Sequence, residues 1–347
     1  MNYREFVTSL RSGTPLSVYV FCGTEAFLRK DALARLKSRI LPAGLEDLNC
    51  SELVNPSVSQ ITDNADTLPL MSDRRLVIVR ELALLGQEGK AKSKDDGKET
   101  PGDRDSERLL SYLQAVPETV TIVFDAGSSL DRRKKLGKTL AALPGFVSFD
   151  PLEDRDLAGF LTKRAQSNGV KIRQDAIDRL IFLSGRDLHT LNAEIDKLSA
   201  YAAARGSIEA ADVDAVATRT AEARVFDMID ALLDGRTGVA FAQLNILLEA
   251  GEARLGIMAL ITRQVRQMLY IKDMTGAGKG QQEIASTLGI KPFIVGKIAG
   301  RVRGIPTEEL TRRLSDCIRA EYDVKCGALR EDAALDTLFL RLRGIGR

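Results

Sequence analysis

Phosphate chemistry would begin at Cys22-Gly23-Thr24-Glu25-Ala26-Phe27-Leu28-Arg29, where an apolar strand-like run gives way to a helical pattern. At such a junction a glycine-rich backbone cradles phosphate and a lysine reaches it. Here the segment holds one glycine, no Gly-Lys-Ser/Thr, and an acidic Glu25 where the anion would sit. The strand that would supply a magnesium carboxylate, Leu76 to Val79, ends in Arg80-Glu81. Asp125 and Asp150 end strands with a carboxylate, but a lone one there is ordinarily a turn residue. One histidine, His189, and four scattered cysteines, Cys22, Cys50, Cys317 and Cys326, form neither a CxxC pair nor a Cys/His nucleophile. Nucleotide hydrolysis, zinc binding and thiol catalysis are therefore not expected, and neither is a cofactor.

Two further segments imitate functional motifs. Gly276-Ala277-Gly278-Lys279-Gly280 has the look of a Walker loop, but it lacks the leading glycine and the Ser/Thr after lysine, and it follows a helix. It reads as an interhelical loop, against the alternative of an active P-loop ATPase. Gln281 to Val302 has Ile284-Ala285, Leu288-Gly289-Ile290 and Val295 spaced like a helix-turn-helix, with Arg301 and Arg303 beyond. Its second helix offers Phe293, Ile294, Val295 and Ile298, which pack and do not read base edges. Packing is the favoured role, and sequence-specific DNA binding the alternative.

The elements that would position any site fall into three segments. Residues 1–150 alternate short β-rich runs (Ser17 to Phe21, Asn49 to Val54, Arg75 to Val79, Thr119 to Phe124, Phe146 to Phe149) with helical stretches, which predicts a parallel α/β sheet. Residues 86–108 are charge-mixed with Ala91 as their only apolar residue, and read as a mobile surface insertion. Residues 151–215 read as three amphipathic helices, Leu157 to Ser167, Gln174 to Ser184 and Asp187 to Ala203, followed by a linker through Val213 to Thr220. Residues 216–347 are helical again. The expected fold class is α/β plus all-α.

One apolar run lies outside this periodicity. Leu68-Pro69-Leu70-Met71 precedes the Arg75 to Val79 strand, separated from it by Ser72, Asp73 and Arg74. Pro69 lacks a backbone N–H and Ser72-Asp73 favour a turn, so the run cannot extend the strand. Its side chains are either tucked back into the core or offered to a partner.

Bulk composition narrows the partners. The net charge is +2, there is no Trp, and aromatics make up 5%, which disfavours a stacking-rich nucleic-acid surface. The first 150 residues carry 21 basic and 21 acidic groups, 151–215 carry 9 and 11, and 216–347 carry 20 and 16, too weak an excess to make DNA binding the main task. No run approaches a membrane span, and Met1-Asn2-Tyr3-Arg4-Glu5 lacks the features of a secretion signal, so a cytoplasmic protein is expected.

Several segments together resemble the delta-subunit family of the bacterial DNA polymerase III clamp loader. Ser184-Gly185-Arg186-Asp187-Leu188 with Leu191, Glu194, Lys197-Leu198 and Tyr201 is similar to that family's lid-domain pattern. Asp131-Arg132-Arg133-Lys134-Lys135 with Lys138 resembles its basic stretch after the fourth strand. Thr220-Ala221-Glu222, Phe226 to Ala231, Leu247 to Glu252, Arg263-Gln264-Val265-Arg266 and Lys325-Cys326-Gly327 resemble its collar.

The resemblance implies a degenerate AAA+ (RecA-like) domain over 1–150, a three-helix lid over 151–215 and a helical collar over 216–347. It implies a subunit without its own ATPase, within a nucleotidyltransferase holoenzyme, that binds the sliding clamp (the beta subunit) and holds one interface open. The implied partners are ATP-binding motor subunits, a delta-prime-like subunit and primer-template DNA at a nucleoid-associated replisome, with no membrane and no small-molecule substrate. Leu70 and Met71, flanked by Leu68 and Pro69, fall at the family's clamp-binding pair, with Met71 in place of the usual aromatic. Arg132, Arg133, Lys134, Lys135 and Lys138 are candidate phosphate contacts, although a solvated helix face explains them equally well. Phe293 is near a position that stacks on the primer-template junction in some relatives.

Overall fold

The structure, a computed structural model, describes residues 1–86 and 101–342. The backbone packs into two units, Met1–Leu157 and Ala158–Arg347.

In the first unit five strands, β1 (Val18–Cys22), β2 (Cys50–Val54), β3 (Arg75–Arg80), β4 (Val120–Asp125) and β5 (Phe146–Ser148), form one parallel sheet in the order β2-β3-β4-β1-β5. Its central strands are buried and mostly apolar between their ends because both faces are covered. Six α-helices accompany it among the described residues: α1 (Tyr3–Ser12), α2 (Ala26–Ile40), α3 (Glu46–Asn49), α4 (Val58–Asp66), α5 (Pro101–Leu113) and α6 (Lys135–Ala141). On one face Val20, Val77, Val79, Ile122 and Phe124 share a core with Val58 and Ile61 of α4, Leu109 of α5 and Leu136 and Leu140 of α6. On the other, the Phe6 ring of α1 meets Tyr19 and Phe21 edge-on at 5.6 and 5.3 Å. The order of the strands places the ends of β1, β3 and β4 side by side, with Arg80 in register with Asp125.

The alternating pattern is borne out strand by strand, with two changes. The sequence reading had no counterpart for α1, which an Asn2/Glu5 capping box starts. The proposed surface insertion is in part a helix. Residues 87–100 lie outside the described residues, but 101–108 open α5. Pro101 suits a first helical turn, and Leu109, fully buried at the end of that stretch, gives the charged turns an anchor.

The second unit contains α7 (Asp154–Ser167), whose first turn precedes the division, then α8 (Gln174–Ser184), α9 (Leu188–Tyr201) and α10 (Ala210–Val216). Beyond the three helices and linker expected over 151–215, β6 (Lys171–Ile172) and β7 (Ser207–Ile208) pair in parallel. The expected linker is also partly helical, because Glu209 and Asp212 form a reciprocal cap that starts α10. Seven helices follow: α11 (Ala221–Leu233), α12 (Thr237–Glu249), α13 (Arg254–Gly276), α14 (Gln281–Leu288), α15 (Pro292–Val302), α16 (Thr307–Lys325) and α17 (Glu331–Leu342). Five of them, α11 and α14 to α17, pack against α13, whose Ile257, Ile261, Val265, Met268 and Ile271 recur at helical spacing and are buried.

Residues 217–220 join these two helical groups, and four hydrogen bonds fix them. Ser184 Oγ donates to the Thr218 carbonyl (2.8 Å), the Thr218 N–H to Glu194 Oε2 (3.1 Å), Lys197 Nζ to Thr218 Oγ1 (3.2 Å) and the Thr220 N–H to the Leu183 carbonyl (2.8 Å). Glu194 is buried. Burial opposes its charge, yet hydrogen bonds from Lys197 and Thr218 outweigh that effect and hold its carboxyl below the usual range.

A carboxyl whose folded pKa is depressed stabilises the fold above its ordinary value, about 4.3, and loses that contribution as pH falls through the lowered folded value. Glu194→Ala should therefore lower unfolding free energy by ~1–3 kcal/mol at pH 7. In urea denaturation the gap to the wild type should close as the pH drops below 4.3, about the ordinary carboxyl value.

Candidate functional site

The apolar run leaves α4 after Asp66 and turns outward before β3. Leu68, Leu70 and Met71 are 78%, 55% and 81% exposed, and Pro69 is half-buried. The side chains are therefore exposed and not tucked back into the core. The backbone beneath them is fixed. Asn49, at the end of α3 and 0% exposed, accepts the Leu70 N–H on Oδ1 (2.7 Å) and donates from Nδ2 to the Leu70 carbonyl (2.9 Å) and to that of Leu45 (3.2 Å). On the β3 side the Arg74 guanidinium donates to the Pro15 carbonyl (2.7 Å), and Ser72 and Arg74 bond each other across the turn. Met71 has φ +53°, a conformation that a side chain disfavours. Leu48, beside Asn49, adds another exposed apolar side chain, and Arg75 holds its carbonyl at 3.1 Å. Sequence reasoning did not find Asn49 as part of this site. Asn49 reads as the first residue of the Asn49 to Val54 run, and nothing nearby in sequence names a partner twenty-one residues on.

At the β1–α2 junction the backbone groups that would face phosphate have protein partners. The Gly23 N–H donates to the Gly127 carbonyl and the Glu25 N–H to that of Phe149, both at 2.9 Å. Gly23 adopts φ +143°, and a Cβ there would lie 2.2 Å from the Phe149 carbonyl oxygen. The Arg29 guanidinium bonds the Gly23 carbonyl and ion-pairs with Asp125 at 3.2 Å. Asp125 also accepts the Gly127 N–H at 3.2 Å, the turn role expected of it. At the end of β3, Arg80 pairs with Glu52 at 3.3 Å.

The basic stretch is exposed but not idle. Arg132 lies over the Phe146 ring at 5.3 Å, Arg133 chelates Asp131 (2.9 Å) and Lys135 meets Glu107 (3.1 Å). Lys134 and Lys138 flank them, both exposed, at the start of and within α6.

In the second unit α14 and α15 form a helix-turn-helix through Gly289, but the second helix is engaged. Val295, Ile298 and Val302 are buried, Lys297 pairs with Asp230 (3.2 Å), and Arg301 pairs with Asp234 (2.5 Å). Phe293 is 37% exposed with its ring edge-on to Phe182 at 5.9 Å. Lys279, the imitation Walker lysine, pairs with Glu283 one turn into α14.

Two family models match the chain. One describes the DNA polymerase III delta subunit and covers residues 19–148, and the other describes its C-terminal domain and covers 222–342. The chain belongs to the DNA polymerase III delta subunit family.

Delta subunits of two bacteria match the chain. DNA polymerase III subunit delta of Bacillus subtilis is 28% identical over 96% of this chain and 95% of its own length. The probable delta subunit of Aquifex aeolicus is 26% identical over 54% and 55%. The solved Bacillus subtilis DNA clamp loader delta protein superposes with a TM-score of 0.56 at 26% identity, covering 98% of this chain and 99% of that one. The fold is thus AAA+-like, and the delta subunit is a component of the polymerase III clamp loader, a complex with other subunits.

The closed junction yields a direct stability test. Gly23→Ala should cost at least ~2 kcal/mol, since it adds a methyl against backbone at a φ that alanine avoids. A fall in the urea midpoint with an unchanged slope would register that loss.

Proposed function

We propose that this delta subunit binds the ring-shaped sliding clamp through Leu68–Met71, with Leu70 and Met71 as the anchor. It holds one ring interface open while ATP-binding motor subunits and a delta-prime-like subunit place the clamp on primed DNA. The observation that carries this reading is an outward-facing Leu-Met pair on a backbone pinned at both ends. Burying one such side chain in a partner pocket is worth ~1.5–3 kcal/mol, enough for the hot spot of an interface. Met71, unbranched and polarizable, fills a pocket that relatives fill with an aromatic.

A subunit with higher affinity for an open ring than for a closed one shifts the ring towards opening without chemistry of its own. That agrees with a β1–α2 junction whose amides already bond to carbonyls: the energy for cycling comes from neighbouring subunits. DNA contact is subordinate. Arg132, Arg133, Lys134, Lys135 and Lys138 supply positive charge for phosphate, and the exposed edge of Phe293 is the surface for stacking on a primer-template junction. The subunit works where that junction is, at the replisome.

Gel filtration and surface plasmon resonance with the host's clamp test the reading. Leu70→Ala with Met71→Ala should weaken binding by roughly a hundredfold or more, the equivalent of two lost anchors. A double variant that still co-migrates with the clamp as the wild type does would overturn it, and so would ATP turnover by the purified chain.

A further inference from the structure

Beyond the two apolar anchors, we infer that Asn49 is a positioning residue for clamp binding: its buried carboxamide fixes the main chain of Leu70 so that Leu70 and Met71 are presented in one orientation. This inference rests on the reading of Leu68–Met71 as the clamp contact.

The hydrogen-bond pattern leaves one way to place the carboxamide. The Leu70 N–H requires an oxygen, and the Leu70 and Leu45 carbonyls require the two hydrogens of Nδ2, so O and N are assigned by their partners. Both polar groups of one loop residue are thereby tied to a single buried side chain, much as a neighbouring strand would tie them. This matters because the loop's other hydrogen bonds, those of Ser72 and Arg74, lie at its far end. Leu68, Leu70 and Met71 make no core, and Met71 sits at φ +53°, which an L side chain seldom adopts unaided. Without the Asn49 bonds the Leu70–Met71 peptide is free to rotate, Met71 relaxes to negative φ, and the two side chains diverge from their joint direction.

A binding-competent conformer that is only fractionally populated raises the apparent Kd by the reciprocal of that fraction. Aspartate at position 49 separates this role from simple packing. As a carboxylate it keeps the acceptor for the Leu70 N–H but sets an anion against two carbonyl oxygens. Once protonated it regains one donor. The penalty on clamp affinity must therefore shrink at low pH, which a loss of packing would not do.

The test uses the full chain and its clamp. Asn49→Ala should raise Kd fivefold or more while cooperative melting is retained. Asn49→Asp should show a larger deficit at pH 7.5 than at pH 5, relative to wild type at the same pH. In the wild-type chain, which needs no variant to fold, the Leu70 amide should exchange with solvent far more slowly than that of Met71. Wild-type affinity in Asn49→Ala, alongside loss of binding in the Leu70/Met71 double alanine, overturns the positioning role and leaves the clamp reading intact. Unprotected exchange at Leu70 in the wild type also overturns it. A double alanine that binds normally removes the clamp reading, and the inference with it.

Discussion

A peptide can keep leucine and methionine side chains in water, in a fixed direction, only if something other than their burial holds its backbone. In this delta subunit that constraint is met by polar groups from below: the Asn49 carboxamide under Leu70, and the Arg74 guanidinium reaching Pro15. Both depend on the sheet. Asn49 is the residue before β2, and Arg74 the residue before β3, so the pairing of β2 with β3 sets the distance between the two anchors. The rest of the first unit supports this arrangement by keeping its apolar strands covered on both faces.

The same architecture accounts for what the β1–α2 junction does. In related folds a glycine-rich turn leaves backbone N–H groups open to an anion. Here the turn lies so close to residue 149 that a Cβ would collide with its carbonyl, and the N–H groups of Gly23 and Glu25 are bonded to carbonyls. Arg29, one turn into α2, supplies positive charge from within, and Asp125 balances it. The turn is a joint between β1, the residues after β4 and the end of β5.

Much of this was legible in residue order. The five strands and the order of the helices follow from apolar runs and helical spacing, which depend on neighbours in sequence. Boundaries set by side-chain chemistry were less visible: the Glu209–Asp212 cap that makes α10 a helix, or Leu109 drawing residues 101–108 into α5. Leu68–Met71 stood out because it broke periodicity, yet whether it faced core or solvent depended on contacts distant in sequence. Asn49 shows the limit most clearly. Its partner is known only once β2 and β3 are paired. The SGRDL segment behaves similarly: its serine and the following Glu194 matter because they meet Thr218, a residue no periodicity connects to them.

That meeting point has a mechanical consequence. Residues 217–220 are where a chain of two helical groups would be free to bend, and a hinge there would absorb a push as rotation. With donors and acceptors on both flanks bonded together, bending at this segment would first have to break those four hydrogen bonds.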